Sequence, residues 1–124
     1  MRPLDGIKVL DLSRVLAGPF AGRILHDLGA EVVKVEPPEG DVTRNWGKVR
    51  AGLAGYYTQQ NVGKQNVCID LSVKGGPDIV RQLAARADVL IENFRPGVMQ
   101  KYELGYEDLA QINPKLVMLS ISGF

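Results

Sequence analysis

The chain has 124 residues, with fifteen Lys+Arg against fourteen Asp+Glu, 45% hydrophobic and 23% charged. That balance describes one globular unit and excludes the strongly basic surface of a general nucleic-acid binder. A single cysteine, Cys68, and a single histidine, His26, exclude a disulfide framework and a Cys- or His-rich metal site. No apolar run approaches the ~18 residues of a membrane span, and Met1–Asp11 lacks the apolar stretch of a secretory signal. The expectation is a reduced, cytoplasmic chain without nucleic-acid or membrane partners.

Lys8–Leu12 follows a Pro3-Leu-Asp-Gly6 turn signal and reads as a first strand. Gly18-Pro19 then opens a helix, with Phe20, Ile24, Leu25 and Leu28 as its apolar face and Arg23–Asp27 as an i,i+4 pair. Gly29 stops it, and Glu31–Glu36 forms the second strand before Pro37-Pro38. From Glu39 to Gln65 glycines and scattered aromatics predict a surface excursion with a short helical turn near Tyr56–Gln60. Strand character returns at Asn66–Leu71. Gly75-Gly76-Pro77 opens a helix bearing Ile79, Val80, Leu83, Ala84 and Ala87. Asp88–Glu92 is a buried-type strand, Asn93–Gly97 its exit loop, Glu107–Ile112 a short helix and Lys115–Ser122 the last strand. Strands alternating with helices indicate a parallel α/β sheet with right-handed crossovers. The sequence stops just after a strand, at the sheet end where ligands bind, and so reads as the front portion of a longer fold.

Four strand-exit loops are candidates for ligand binding. Ser13–Pro19 combines small residues with a helix N-terminus able to receive an anion, although a tight turn explains it equally well. It carries neither the dinucleotide glycine pattern nor a Walker loop. Glu36–Arg44 could offer an acid to a ribose hydroxyl, with solvated loop charges as the stronger reading. Asn61–Lys64 leads into the third strand, which ends in Ile69–Ser72. Asn93–Gly97, with Lys101 a turn beyond, could hold a phosphate-bearing ligand through Arg95. Turn residue and surface charge remain the plainer account of Asn93 and Arg95. His26 reads as a surface residue rather than a base, and Cys68 as a small buried hydrophobe. Trp46 and Tyr56-Tyr57 either pack under the long loop or face a partner chain.

Leu4–Pro19, Asp27–Pro37, Gly40-Asp41 with Arg44, Glu92–Gly97 and Ser120–Phe124 occur in series. Together they resemble the family III CoA-transferases, which include formyl-CoA and carnitine-CoA transferases and alpha-methylacyl-CoA racemase. The resemblance implies the N-terminal part, residues 1–124, of a Rossmann-like CoA-binding large domain, with the small domain and the remainder absent from this chain. It also implies an interlocked homodimer that moves CoA between an acyl-CoA and a small carboxylic acid. An aspartate would attack the thioester to form an anhydride and then an aspartyl-CoA thioester. By the same resemblance that aspartate lies beyond Phe124, so no catalytic residue is in this chain and the chain alone is inactive. No metal and no cofactor is implied besides the CoA thioester as co-substrate. Leu16 and Ala17 would lie near the pantetheine and thioester. Ile69, Asp70, Leu71, Ser72, Asn93, Phe94 and Arg95 would line the adenine and ribose end, with Lys101 toward the phosphates. Pro37 stands where several members carry a basic CoA contact, Ser72 where a lysine is common, and Leu16 makes the formyl/oxalyl specialist a poor match. A racemase of the same family and a non-catalytic CoA-binding fragment are the alternative readings.

Overall fold

Runs of β-branched and aliphatic residues bounded by Gly, Pro and Asn become five parallel strands of one sheet in the computed structural model, which describes residues 1–123. Phe124, the end of the Ser120–Phe124 motif, lies outside the described residues. In chain order the elements are β1 (Lys8–Asp11), α1 (Ala17–Asp27), β2 (Glu31–Glu36), a 3-10 turn (Val42–Asn45), β3 (Val49–Arg50), β4 (Leu53–Ala54) and α2 (Gly55–Asn61). They continue with β5 (Gln65–Cys68), α3 (Gly76–Ala84), β6 (Val89–Glu92), α4 (Val98–Lys101), α5 (Tyr106–Ile112) and β7 (Val117–Ser120). The parallel strands lie in the order β5-β2-β1-β6-β7. β3 and β4 form a separate antiparallel hairpin within the long excursion. The expected parallel strands all form, and the turn expected near Tyr56–Gln60 is α2.

Both faces of a parallel sheet are buried, so alternate residues of one strand enter different cores. Leu10, Leu12 and Leu90 point into the larger core with Val80 and Ala84 of α3 and Leu109 of α5. Val9, Val32 and Ile91 point the other way, against Ala21 and Leu25 of α1. Register fixes this partition: Val9 pairs with Val32 and Val89, Leu10 with Val33 and Leu90.

Four expectations change. α1 turns Gly18, Pro19 and Gly22 inward with Leu25, while Phe20, Ile24 and Leu28, expected to be its core face, are exposed. The reason is proximity: a Cβ on Gly22 would sit 2.8 Å from Asp11 Oδ2, so small residues must face the sheet. On α3, Ile79 is likewise exposed while Val80 and Ala84 are buried. Cys68, expected to be buried, is exposed because β5 is an edge strand. The third strand also ends earlier than expected, at Cys68, leaving Ile69–Ser72 as its exit loop.

Candidate functional site

The strand order reverses direction between β1 and β6, and the loops leaving their carboxyl ends splay apart there, which is where open α/β sheets bind ligands. A cleft of about 350 Å³ opens at this end of the sheet. Leu12, Val35 and Ile69 give it an apolar lining, Pro37, Glu39 and Asp70–Ser72 approach from the β2 and β5 loops, and Arg14, Phe94, Val98 and Tyr102 complete it.

Each wall has a local cause. Ile69 N–H donates to the Glu36 carbonyl (2.9 Å), carrying the β2–β5 ladder one step past the strand. Asp70 Oδ1 then accepts from Ser72 N–H (2.8 Å) and Ser72 Oγ–H (2.6 Å), closing an Asx-type turn. The Ser72 hydroxyl, and then its N–H, hold the Asp70 carboxyl below the usual range. Gly76 starts α3 against this turn, where a Cβ would overlap the Asp70 carbonyl. Across the cleft, Asn93 reaches from the β6 exit to the β1 exit. Its Oδ1 accepts from Arg14 N–H (2.8 Å) and its Nδ2 donates to the Arg14 carbonyl (2.7 Å).

Beneath these loops lies a buried charged layer. Lys34 pairs with Asp41 (3.1 Å) and Lys64 with Asp11 (2.8 Å), all four side chains at most 1% exposed. Lys34 Nζ also donates to the Ser13 carbonyl (2.8 Å), and Asp41 Oδ2 accepts from Val15 N–H (3.2 Å). These bonds hold Val15 at φ +71°, a left-handed conformation that a β-branched residue rarely adopts. Lys64 Nζ donates further to the Pro19 carbonyl (2.8 Å) and Asn61 Oδ1 (2.9 Å). Burial pushes the Lys64 ammonium down, and Asp11 offsets this only in part. For Asp41, burial pushes the carboxyl up, but the Thr43 N–H and the Lys34 charge bring it below its ordinary value.

Glu36 ends β2 in a second knot. It accepts from Arg44 Nε (2.7 Å) and a second Arg44 nitrogen (2.9 Å), from the Tyr57 hydroxyl, from Asn66 Nδ2 (2.6 Å) and from Asp41 N–H (2.9 Å). Burial alone would raise its carboxyl, yet Arg44 and Tyr57 bring it down to about 2. The charges of Glu36–Arg44, read from sequence as chiefly solvated, are therefore corrected for Glu36 and Asp41, which are buried and paired. With so many donors on its oxygens, Glu36 is filled by the protein. Trp46 packs on Tyr56, with ring centroids 5.6 Å apart, while Tyr57 joins the Glu36 knot. His26 is partly buried, its Nδ1 3.3 Å from the Ala30 carbonyl.

Of the residues expected from sequence, Ile69, Asp70, Leu71, Ser72 and Phe94 line the cleft together. Asn93 braces its wall from behind. Leu16 and Ala17 are exposed at the start of α1, outside the lining. Arg95 faces a neighbouring depression with Pro96, Gln100 and Ser120. Lys101 is exposed at the end of α4, its Nζ 5.3 Å from the ring centre of Tyr102. Arg14 lies in the Ser13–Pro19 loop read as a candidate, though it was not singled out; Leu12, Val35, Val98 and Tyr102 were missed as lining residues, as was the pairing of the two lysines. One signal was available for Lys34: a lysine inside a strand buried on both faces must have a partner.

A parallel α/β sheet with an open cleft beyond the carboxyl ends of its strands defines the class: an open α/β unit with its cleft where such sheets bind ligands. Comparison with known proteins goes further. The CoA-transferase family III model matches residues 4–124, and the chain belongs to that family. It is 49% identical over 130 residues to succinate–glutarate CoA-transferase of Agrobacterium fabrum, covering 98% of this chain and 32% of that protein. It is 46% identical over 126 residues to human succinyl-CoA:glutarate CoA-transferase, covering 100% and 29%. Among solved structures, a CAIB/BAIF family protein from Brucella suis superimposes with a TM-score of 0.94 at 50% identity, covering 99% of this chain and 34% of the other. The chain thus spans about a third of the length of the relatives it matches.

Proposed function

We propose that this chain is the CoA-binding front portion of a family III CoA-transferase, which moves CoA between an acyl-CoA and a small carboxylic acid through an aspartyl intermediate. The observation that carries the reading is the cleft itself. Ile69–Ser72 and Phe94, the segments that family resemblance assigns to CoA, line one cavity at the switch point of the sheet. The relatives named above, which act on succinate or succinyl-CoA with glutarate, support transfer over racemisation and a carboxylate acceptor. A homodimer completes the reading.

The nucleophilic aspartate lies outside this chain. In support, Asp11 and Asp41 are buried in ion pairs and Asp70 is engaged by Ser72. A carboxylate that attacks a thioester needs an unencumbered oxygen. The chain alone accordingly binds CoA but transfers nothing. The test is calorimetric titration with CoA beside an exchange assay using labelled acid and acyl-CoA. Binding without exchange is expected. Exchange abolished by substituting one of the chain's own aspartates would overturn the placement of the nucleophile, and absence of CoA binding would overturn the reading altogether.

A further inference from the structure

We infer that Arg14 is the anion-binding group of the cleft, its guanidinium taking phosphate oxygens of a nucleotide-bearing ligand. The identity of that ligand as CoA rests on the function proposed above, but the anion site does not. Arg14 is the cation among the cleft's lining residues, which otherwise offer the carboxylates of Glu39 and Asp70. Its side chain is unusual in having no partner at a buried donor: Nε is shielded from solvent and makes no hydrogen bond among the described residues. A buried donor left unsatisfied costs about 1–3 kcal/mol. By contrast Arg44, Arg23 and Arg81 each pair with a carboxylate.

The surroundings fix where this charge points. Asn93 holds both the N–H and the carbonyl of Arg14, so the backbone cannot pivot. The next residue, Val15, is kept in its left-handed conformation by Asp41, which resists relaxation of the loop. The guanidinium carbon lies 5.2 Å from the centre of the Phe94 ring, a cation–π seat that limits the rotamers available. A charged fork with a free N–H, fixed at both ends beside a cavity, is ready to meet an oxyanion through two parallel donors. Strain and rigidity of this kind cost stability and are commonly found where a ligand must be met in one geometry.

The test compares wild type, Arg14→Gln and Arg14→Lys in titrations with CoA, adenosine 3′,5′-bisphosphate and pantetheine, with thermal melts to verify folding. Loss of a charge-assisted contact should weaken CoA and the bisphosphate by about 10- to 100-fold in Arg14→Gln, with Arg14→Lys between it and wild type and pantetheine unchanged. Unchanged binding of CoA and bisphosphate would overturn the assignment while leaving the CoA reading intact. Equal weakening of all probes, pantetheine included, would show a structural role and also overturn it. Bisphosphate binding that depends on Arg14 without any CoA binding would sustain the anion site and discard the CoA reading. If neither phosphate-bearing probe binds the wild type, both readings fall.

Discussion

Glu36 and the two lysine–aspartate pairs store electrostatic stability that pH and mutation should expose separately. A carboxyl held at about 2 in the folded chain against 4.5 when free stabilises the fold above pH 4.5, and that contribution disappears as pH falls toward 2. It amounts to about 3 kcal/mol. Glu36→Gln should therefore melt lower than wild type at pH 7 and show a much flatter decline from pH 4.5 to 2. Parallel pH profiles would contradict this. Lys64→Met leaves Asp11 buried without its cation, and breaking such a pair costs about 3–5 kcal/mol. The double variant Asp11→Asn with Lys64→Met should recover part of that loss. Additive losses in a denaturant double-mutant cycle would show that the two groups act independently.

Elements meet the cleft at places where a single atom decides the geometry. Gly76 lets α3 begin against the Asp70 carbonyl, so Gly76→Ala must move the helix or the loop. The expected outcome is a melting temperature lower by several degrees and a loss of CoA affinity larger than the stability change alone explains. Asn93→Ala removes both bonds to Arg14, with an expected cost of about 1–3 kcal/mol, and frees the β1 exit loop. Hydrogen exchange at Ser13–Leu16 should then rise, and unchanged protection would refute the bracing role. The elements themselves were legible because apolar period and Gly/Pro punctuation are local properties: β6 and α3 read directly from Val89–Glu92 and Gly75-Gly76-Pro77. Which side of α1 faces the sheet was not legible, because the inward stripe is mostly small, Gly18, Ala21 and Gly22 beside Pro19 and Leu25, while Phe20, Ile24 and Leu28 point outward. The Lys64–Asp11 bond was equally hidden, since its partners are 53 residues apart.

At the scale of the molecule, the chain presents apolar surface along α1 and along β7, among other positions. Leu16, Phe20, Ile24 and Leu28 form a stripe along α1, each more than 40% exposed. Val117, 62% exposed, and Leu119 lie on edge strand β7, on the face shared with Val89 and Ile91. Exposed apolar edge strands pair with other chains, so sedimentation should reveal concentration-dependent self-association. Val117→Lys with Leu119→Lys should shift the distribution toward monomer. One sharp monomeric boundary at every concentration would contradict the expectation. The same uncovered edge has a consequence for lifetime. In a cell, a polypeptide with an open sheet margin is held by chaperones or cut by proteases faster than one whose margin is sealed. A surface that docks on β7, from the rest of a longer chain or from another one, should therefore lengthen the lifetime of this unit.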